Sequence, residues 1–344
     1  MSDPWAGRIV EPGGPGGPPA EGTLADTLAA YVAWQAARWP RLAEARATLP
    51  GVRTREVEVG RPPCRVQWNP ARAVSTTARV DPESVAARPC FLCPPALPPE
   101  ERGLAFGPQA VILANPAPVL PDHLVVVARD HVPQAVGPAL PLLVAAAAAL
   151  RGRFAAFYNG PRCGASAPDH LHLQAVRGGL LPAERAAGAG PGPGDRRLGA
   201  GSGLEAWSLG GQGRPILAFR GAPGQVEAAL GAAVEVLGEV RPDAPEPLLN
   251  LLAVGVPEGV LALLFPRAAH RPACFHGVGP GRCLVSPGAV DLAGEVVAVR
   301  EEDFCALDAP RLAGILAEVS LDPARVRILQ DRLSRRLERW TNPS

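Results

Sequence analysis

A chain of 344 residues with 47% hydrophobic and 19% charged residues has the composition of a globular protein of one large or two ordinary domains, too apolar for wholesale disorder. Its 34 basic and 33 acidic residues leave a net charge of +1, with no cationic excess to grip a nucleic-acid backbone or an anionic membrane. The sequence contains no lysine, which excludes Schiff-base chemistry and the lysine-dependent phosphate loop.

Residues 1–22 are rich in Gly and Pro and are expected to form a disordered tail, with Trp5 as a docking anchor. They hold no apolar stretch of signal-peptide length. From 23 to 49, Leu24, Leu28, Tyr31, Val32 and Trp39 recur at helical spacing behind a capping Thr23, which predicts one long amphipathic helix. Short β-rich pieces between 52 and 80 read as strands and hairpins, and Cys90 and Cys93 follow at the spacing of a metal knuckle. Segments 110–113 and 124–127 read as buried strands, 138–157 as a helix and 170–176 as a strand. The Gly-rich stretch 187–204 is read as a flexible linker between a first half, 23–186, and a second, 205–344. In the second half, apolar runs alternate with a helix at 226–240, and another helix fills the last thirty residues. Segments 123–133 and 261–272 share an apolar strand, a basic residue, a histidine and a proline, each preceded by an asparagine, Asn115 and Asn250. That echo arises either by chance or because the chain is two copies of one α+β unit. The longest apolar run, 142–150, is about half a membrane span, and seven cysteines without an export signal point to a reduced cytoplasm rather than a disulfide framework.

The chemistry concentrates in one strand. His170, His172 and Gln174 alternate, so on a strand they share a face, at intervals of about 6.6 Å, while Leu171 and Leu173 face the core. The plainer reading is a half-exposed strand that happens to carry histidines. Upstream, Asn159, Gly160, Gly164 and Ser166 supply a turn whose backbone can approach a ligand, together with polar groups that can donate to phosphate oxygens. A neutral imidazole is a competent nucleophile at phosphorus, and an amide can hold phosphoryl oxygens without supplying a proton.

The stretch YNGPRCGASAPDHLHLQ resembles the active-site segment of the histidine-triad superfamily. The resemblance is to the branch holding galactose-1-phosphate uridylyltransferase, diadenosine tetraphosphate phosphorylase and GDP-hexose phosphorylases, and it runs from about 88 to 176. It implies an α+β fold, an antiparallel sheet with packed helices in two related halves, the second degenerate. It further implies nucleotidyl transfer through a covalent nucleotidyl-histidine, with His172 as nucleophile and Gln174 on the phosphoryl oxygens. Asn159, Gly164, Ser166 and Asn115 match nucleotide-contacting positions, and His123 is assigned loop or phosphate contacts. By the same resemblance His131 and His170 complete a structural zinc site with Cys90 and Cys93. Implied partners are a nucleotide or nucleotide-sugar substrate, a phosphate or sugar phosphate acceptor, and a second copy of the chain. A hydrolase using the same pocket, or an inactive zinc-ordered nucleotide-binding protein, are the rival readings. Asn69, Arg72 and Arg267, near strand ends, are candidates to reach substrate, and the other cysteines read as small apolar fillers.

Overall fold

The computed structural model describes residues 3–201, 203–210, 213–242 and 246–341. Helices α1 (Leu24–Ala36) and α2 (Pro40–Thr48) lead into strands β1 (Arg53–Val57) and β2 (Cys64–Trp68), followed by two helical turns, α3 (Ala73–Thr76) and α4 (Pro82–Ala86). Next come β3 (Leu104–Phe106), β4 (Ala110–Ala114), β5 (Leu124–Ala128), α5 (Val136–Leu150), β6 (Phe154–Asn159) and β7 (His172–Arg177). After α6 (Pro182–Gly188) the chain forms β8 (Arg196–Gly201), β9 (Leu204–Leu209), β10 (Ile216–Gly221), α7 (Pro223–Val240), β11 (Leu249–Val256) and β12 (Gly259–Pro266). It closes with α8 (Ala273–His276), α9 (Ala289–Leu292), β13 (Glu295–Ala298), α10 (Glu301–Ala306), α11 (Ala309–Val319) and α12 (Pro323–Thr341).

Ten strands make one sheet in the order β3-β4-β5-β7-β6-β11-β12-β10-β9-β8. Five come from each half, and the two orders are the same: a three-strand meander, a helix, then a hairpin whose second strand returns to the meander. Helix α5 fills the helix position in the first half and α7 in the second. The halves meet where β6 pairs antiparallel with β11, placing Asn159 opposite Asn250. The repeat is therefore real, but the echo that suggested it is out of register. Segment 123–133 lies on β5, whose counterpart is β10, whereas 261–272 lies on β12, the counterpart of β7. Apolar strands followed by a basic residue are too common to fix an alignment.

Helices α1, α5, α7 and α12 cover one face of the sheet over a continuous core that includes Leu28, Leu143, Leu230 and Leu333. The other face buries Phe157, Leu252, Leu263 and Phe265 against a small sheet, β1-β2-β13. Strand β13 pairs parallel with β2, so a late segment of the chain folds back onto an early one.

Four expectations are corrected. The long N-terminal helix is two, because Pro40 lacks the N–H needed to continue α1 and instead opens α2 at its first turn. The helix expected over 138–157 ends at Leu150, where Arg151 and Gly152 turn left-handed (φ 49° and 76°) and send the chain back as β6. The tail is not loose over 3–22: Trp5 is 1% exposed among Leu92, Leu97, Val111 and Leu113, and its Nε1 donates to the Arg129 carbonyl at 3.0 Å. Indole burial on this scale contributes roughly 4–6 kcal/mol by area, and Arg8 adds hydrogen bonds to the Leu97 and Pro98 carbonyls. The stretch 187–204 is not a free linker either, since β8 within it forms the edge of the large sheet against β9.

Candidate active site

Cys90 and Cys93 sit in a tight turn closed by the Cys93 N–H on the Cys90 carbonyl. His131 arrives from the segment after β5, and His170 from the turn before β7. The Cys90 sulfur lies 3.3 Å from Nδ1 of His170, and the Cys93 sulfur 3.2 Å from Nδ1 of His131. All four donor atoms fall within 4.8 Å of one another. The His170 Nε2–H donates to the Ala128 carbonyl at 2.9 Å, which leaves Nδ1 with its lone pair towards the sulfurs. Two thiols and two imidazoles converging in this way fit a tetrahedral metal, and a carbonyl fixing one ring is the usual support for such a ligand. Because β7 begins at His172, His170 has left the strand face it was expected to share. Its ring faces the cysteines, and only His172 and Gln174 face the cleft.

That cleft, about 910 Å³, lies beside the cluster. Asn115, His123, Asn159, Gly164, Ser166, His172 and Gln174 all line it. His172 is 4% exposed, and its Nδ1–H donates to the His170 carbonyl at 2.8 Å. The lone pair therefore sits on Nε2. Burial pushes its pKa down to about 4, so the ring is neutral at pH 7. His123 takes the opposite tautomer. Its Nδ1 accepts the Val119 N–H at 3.2 Å, so Nε2 carries the hydrogen and donates to Gln174 Oε1 at 2.9 Å. With its oxygen held, Gln174 keeps its NH₂ end for an incoming acceptor. Burial, with Arg72 adding to it, holds His123 down to about 3 and so uncharged.

The second half builds the opposite wall. Asn159 Oδ1 accepts from Asn250 Nδ2 and from the Ala289 N–H, both at 2.8 Å. Gly164 has φ +102°, and a Cβ there would lie 3.3 Å from Gly288 Cα. These two residues thus seat the 286–291 loop against the cleft. Arg267 holds that loop from behind: wholly buried, it donates to Asn250 Oδ1 at 2.5 Å and to the carbonyls of Pro287, Ala269, His270 and Val319. It does not reach the cleft, contrary to expectation, because every guanidinium nitrogen is turned inward. Asn69 likewise is buried on Gln67, whereas Arg72 does line the cleft.

Several contributors escaped the sequence. Gln134 accepts the His172 N–H at 2.8 Å and donates to the carbonyls of His172 and Asn159 at 3.1 and 2.9 Å, clamping the reactive strand to β6. A glutamine in an irregular segment gives no periodic signal for such a role. Arg41, Arg79, Arg88 and Arg271 join Arg72 around the cleft against Glu44, Glu101 and Asp291, a cationic excess suited to an anionic ligand.

The family described as a domain of unknown function (DUF4922) matches residues 31–177. No curated protein matches the sequence. Yeast Ap4A phosphorylase Apa2 aligns with 82% of this chain and 97% of its own, at 17% identity and a TM-score of 0.54. Its complex with Ap4A gives 82% and 96%, 16% identity and 0.51. The fold is histidine-triad-like. This likeness runs through both halves, so the α+β sheet with packed helices and a second related half is borne out. A GALT-like protein from Arabidopsis thaliana aligns with 78% of this chain and 99% of its own, at 13% identity and a TM-score of 0.33. Among the described residues no helix is long and apolar enough to cross a membrane.

Proposed function

We propose that this chain transfers a nucleotidyl group through His172. The observation that carries the reading is the hydrogen bond from His172 Nδ1 to the His170 carbonyl, which aims a neutral Nε2 lone pair into an arginine-rich cleft. Nε2 attacks the α-phosphorus of a nucleotide, a P–N bond forms, and the P–O bond to the leaving phosphate departs with its electron pair. The ring becomes cationic on phosphorylation, and the His170 carbonyl on Nδ1–H stabilises that charge. The Gln174 NH₂ group donates to the oxygens of the α-phosphate, where charge builds up in the transition state. A phosphate or sugar phosphate oxygen then attacks phosphorus from the opposite side. The P–N bond breaks, and His172 returns to its neutral form.

Cys90, Cys93, His131 and His170 would hold zinc, which with four protein donors would supply no open position for chemistry and would serve to fix His170. The ring that bonds the metal and the carbonyl that orients His172 belong to one residue, so holding the first orients the second. A nucleoside diphosphate sugar or a dinucleoside polyphosphate fits the reading; the related yeast fold has been captured with Ap4A.

The test is to incubate the protein with α-labelled nucleotides in the absence of acceptor. Label should appear on His172, acid-labile and base-stable, and leave on addition of phosphate. His172→Asn should abolish labelling and turnover while metal content stays unchanged. A protein that turns nucleotide over yet never carries the label in rapid quench would refute the mechanism.

A further inference from the structure

Glu101 stands out as a buried acid that the reaction above does not use. It is 4% exposed and lines the cleft. Among the described residues its carboxyl has no hydrogen-bond or ion-pair partner, and its oxygens are not among the sealed, partnerless atoms of the interior. They therefore keep a path to the cleft. Arg8, which acts on its charge, spends its guanidinium on backbone carbonyls at Leu97, Pro98 and Glu101 itself, and Arg41 likewise acts on it through charge and not through a hydrogen bond. A buried carboxyl without a partner is costly, and natural structures rarely keep one unless something else binds it. Burial pushes this one up to about 8 although both arginines lower it.

Its place in the fold says what could bind. The Tyr31 hydroxyl donates to the Arg102 carbonyl at 2.6 Å and accepts the Ala114 N–H at 3.0 Å, which ties this turn to the end of β4 beside Asn115. Strands β4 and β7 lie two strand spacings apart, about 10 Å, and their register sets Ala114 level with Ala175, three residues beyond His172 along β7. A nucleotide with its α-phosphorus at His172 would run across Asn115 and bring its base to this end. Leu92, Leu97 and Leu113 there supply apolar surface for a flat ring.

We propose that Glu101 is the specificity-determining residue for the base, accepting two adjacent N–H donors, and that the cleft therefore prefers guanine nucleotides. This rests on the nucleotidyl-transfer reading. Two N–H donors meeting the carboxyl favour its ionised form, which only accepts, and the N1–H and 2-amino group of guanine supply them in parallel. Adenine presents one amino donor beside an acceptor, and uracil a single N–H between two acceptors, so each leaves an oxygen unpaired or repelled.

The experiment is calorimetric titration of the metal-loaded protein with GMP, AMP and UMP, repeated on Glu101→Gln and Glu101→Leu. GMP should bind at least about tenfold more tightly than AMP or UMP, and both variants should lose that margin while binding AMP no more weakly than wild type does. Neither variant should unfold more easily than wild type, since each removes an unpartnered acid. AMP or UMP binding as tightly as GMP, or a guanine preference that survives in both variants, overturns the assignment of Glu101 while leaving nucleotidyl transfer standing. Failure of all three nucleotides to bind removes both readings together.

Discussion

Gln134→Met removes the clamp behind the nucleophile while keeping the volume of the side chain. The glutamine is 4% exposed and makes three hydrogen bonds to main-chain groups, one from the His172 N–H and two to the carbonyls of His172 and Asn159. A thioether replaces none of them well. Each buried group left without a partner costs about 1–3 kcal/mol, so the three together should cost roughly 3–9 kcal/mol, a large share of the ~5–15 kcal/mol that holds a typical protein folded. Urea unfolding reads the loss as a lower midpoint. In the protein that remains folded, rapid-quench labelling of His172 should slow by tenfold or more, because the start of β7 is no longer fixed against β6, whereas bound metal should be retained. A destabilisation under 1 kcal/mol with unchanged labelling would show that the clamp is incidental and the reasoning about His172 placement wrong.

Cys90→Ser should lower both bound metal and thermal stability, and should slow His172 labelling in proportion, because His170 loses its anchor; metal analysis beside a melting curve checks it, and normal labelling in metal-free protein would contradict the coupling. Gly164→Ala places a Cβ at φ +102°, facing Gly288, and should cost about 1–3 kcal/mol while raising KM more than it lowers kcat, since the loop it displaces is a wall and not the nucleophile. Glu101 supplies a pH test of opposite sign to most acids. Its folded pKa of about 8 lies above the ordinary 4.5, so it costs stability progressively as pH rises from about 4.5 to 8. Glu101→Gln should match wild type near pH 4.5 and exceed it by a few kcal/mol at pH 8. Urea unfolding at pH 5 and pH 8 decides this, and a constant difference would mean that the acid has an unseen partner.

The two ends of the cluster were legible because spacing encodes them: Cys90 and Cys93 through the knuckle, His172 and Gln174 through strand alternation. His170 shows where alternation stops, since the strand starts two residues later than its pattern suggests and the ring turns to the sulfurs. Buried strands such as β4 and β5 were legible from their apolar runs. The wall opposite His172 was not, because Asn250 and Ala289 act through hydrogen bonds to Asn159 on β6, more than ninety positions away in sequence, and Arg267 acts through Asn250, which no local pattern reports. Trp5 reads as an anchor in the sequence, yet its glycine- and proline-rich surroundings argue for disorder more strongly than one indole argues against it. A segment without regular secondary structure can still be packed.

The shared seam between β6 and β11 distributes vulnerability unevenly. Every histidine of the motif belongs to one five-strand unit, but the asparagine that those residues lean on is itself braced by the other. Lesions in β11, β12 or the 286–291 loop should therefore phenocopy loss of the nucleophile, although they lie in the unit that bears no reactive group. A chain severed after residue 186 would keep the whole signature and have nothing to press it into shape.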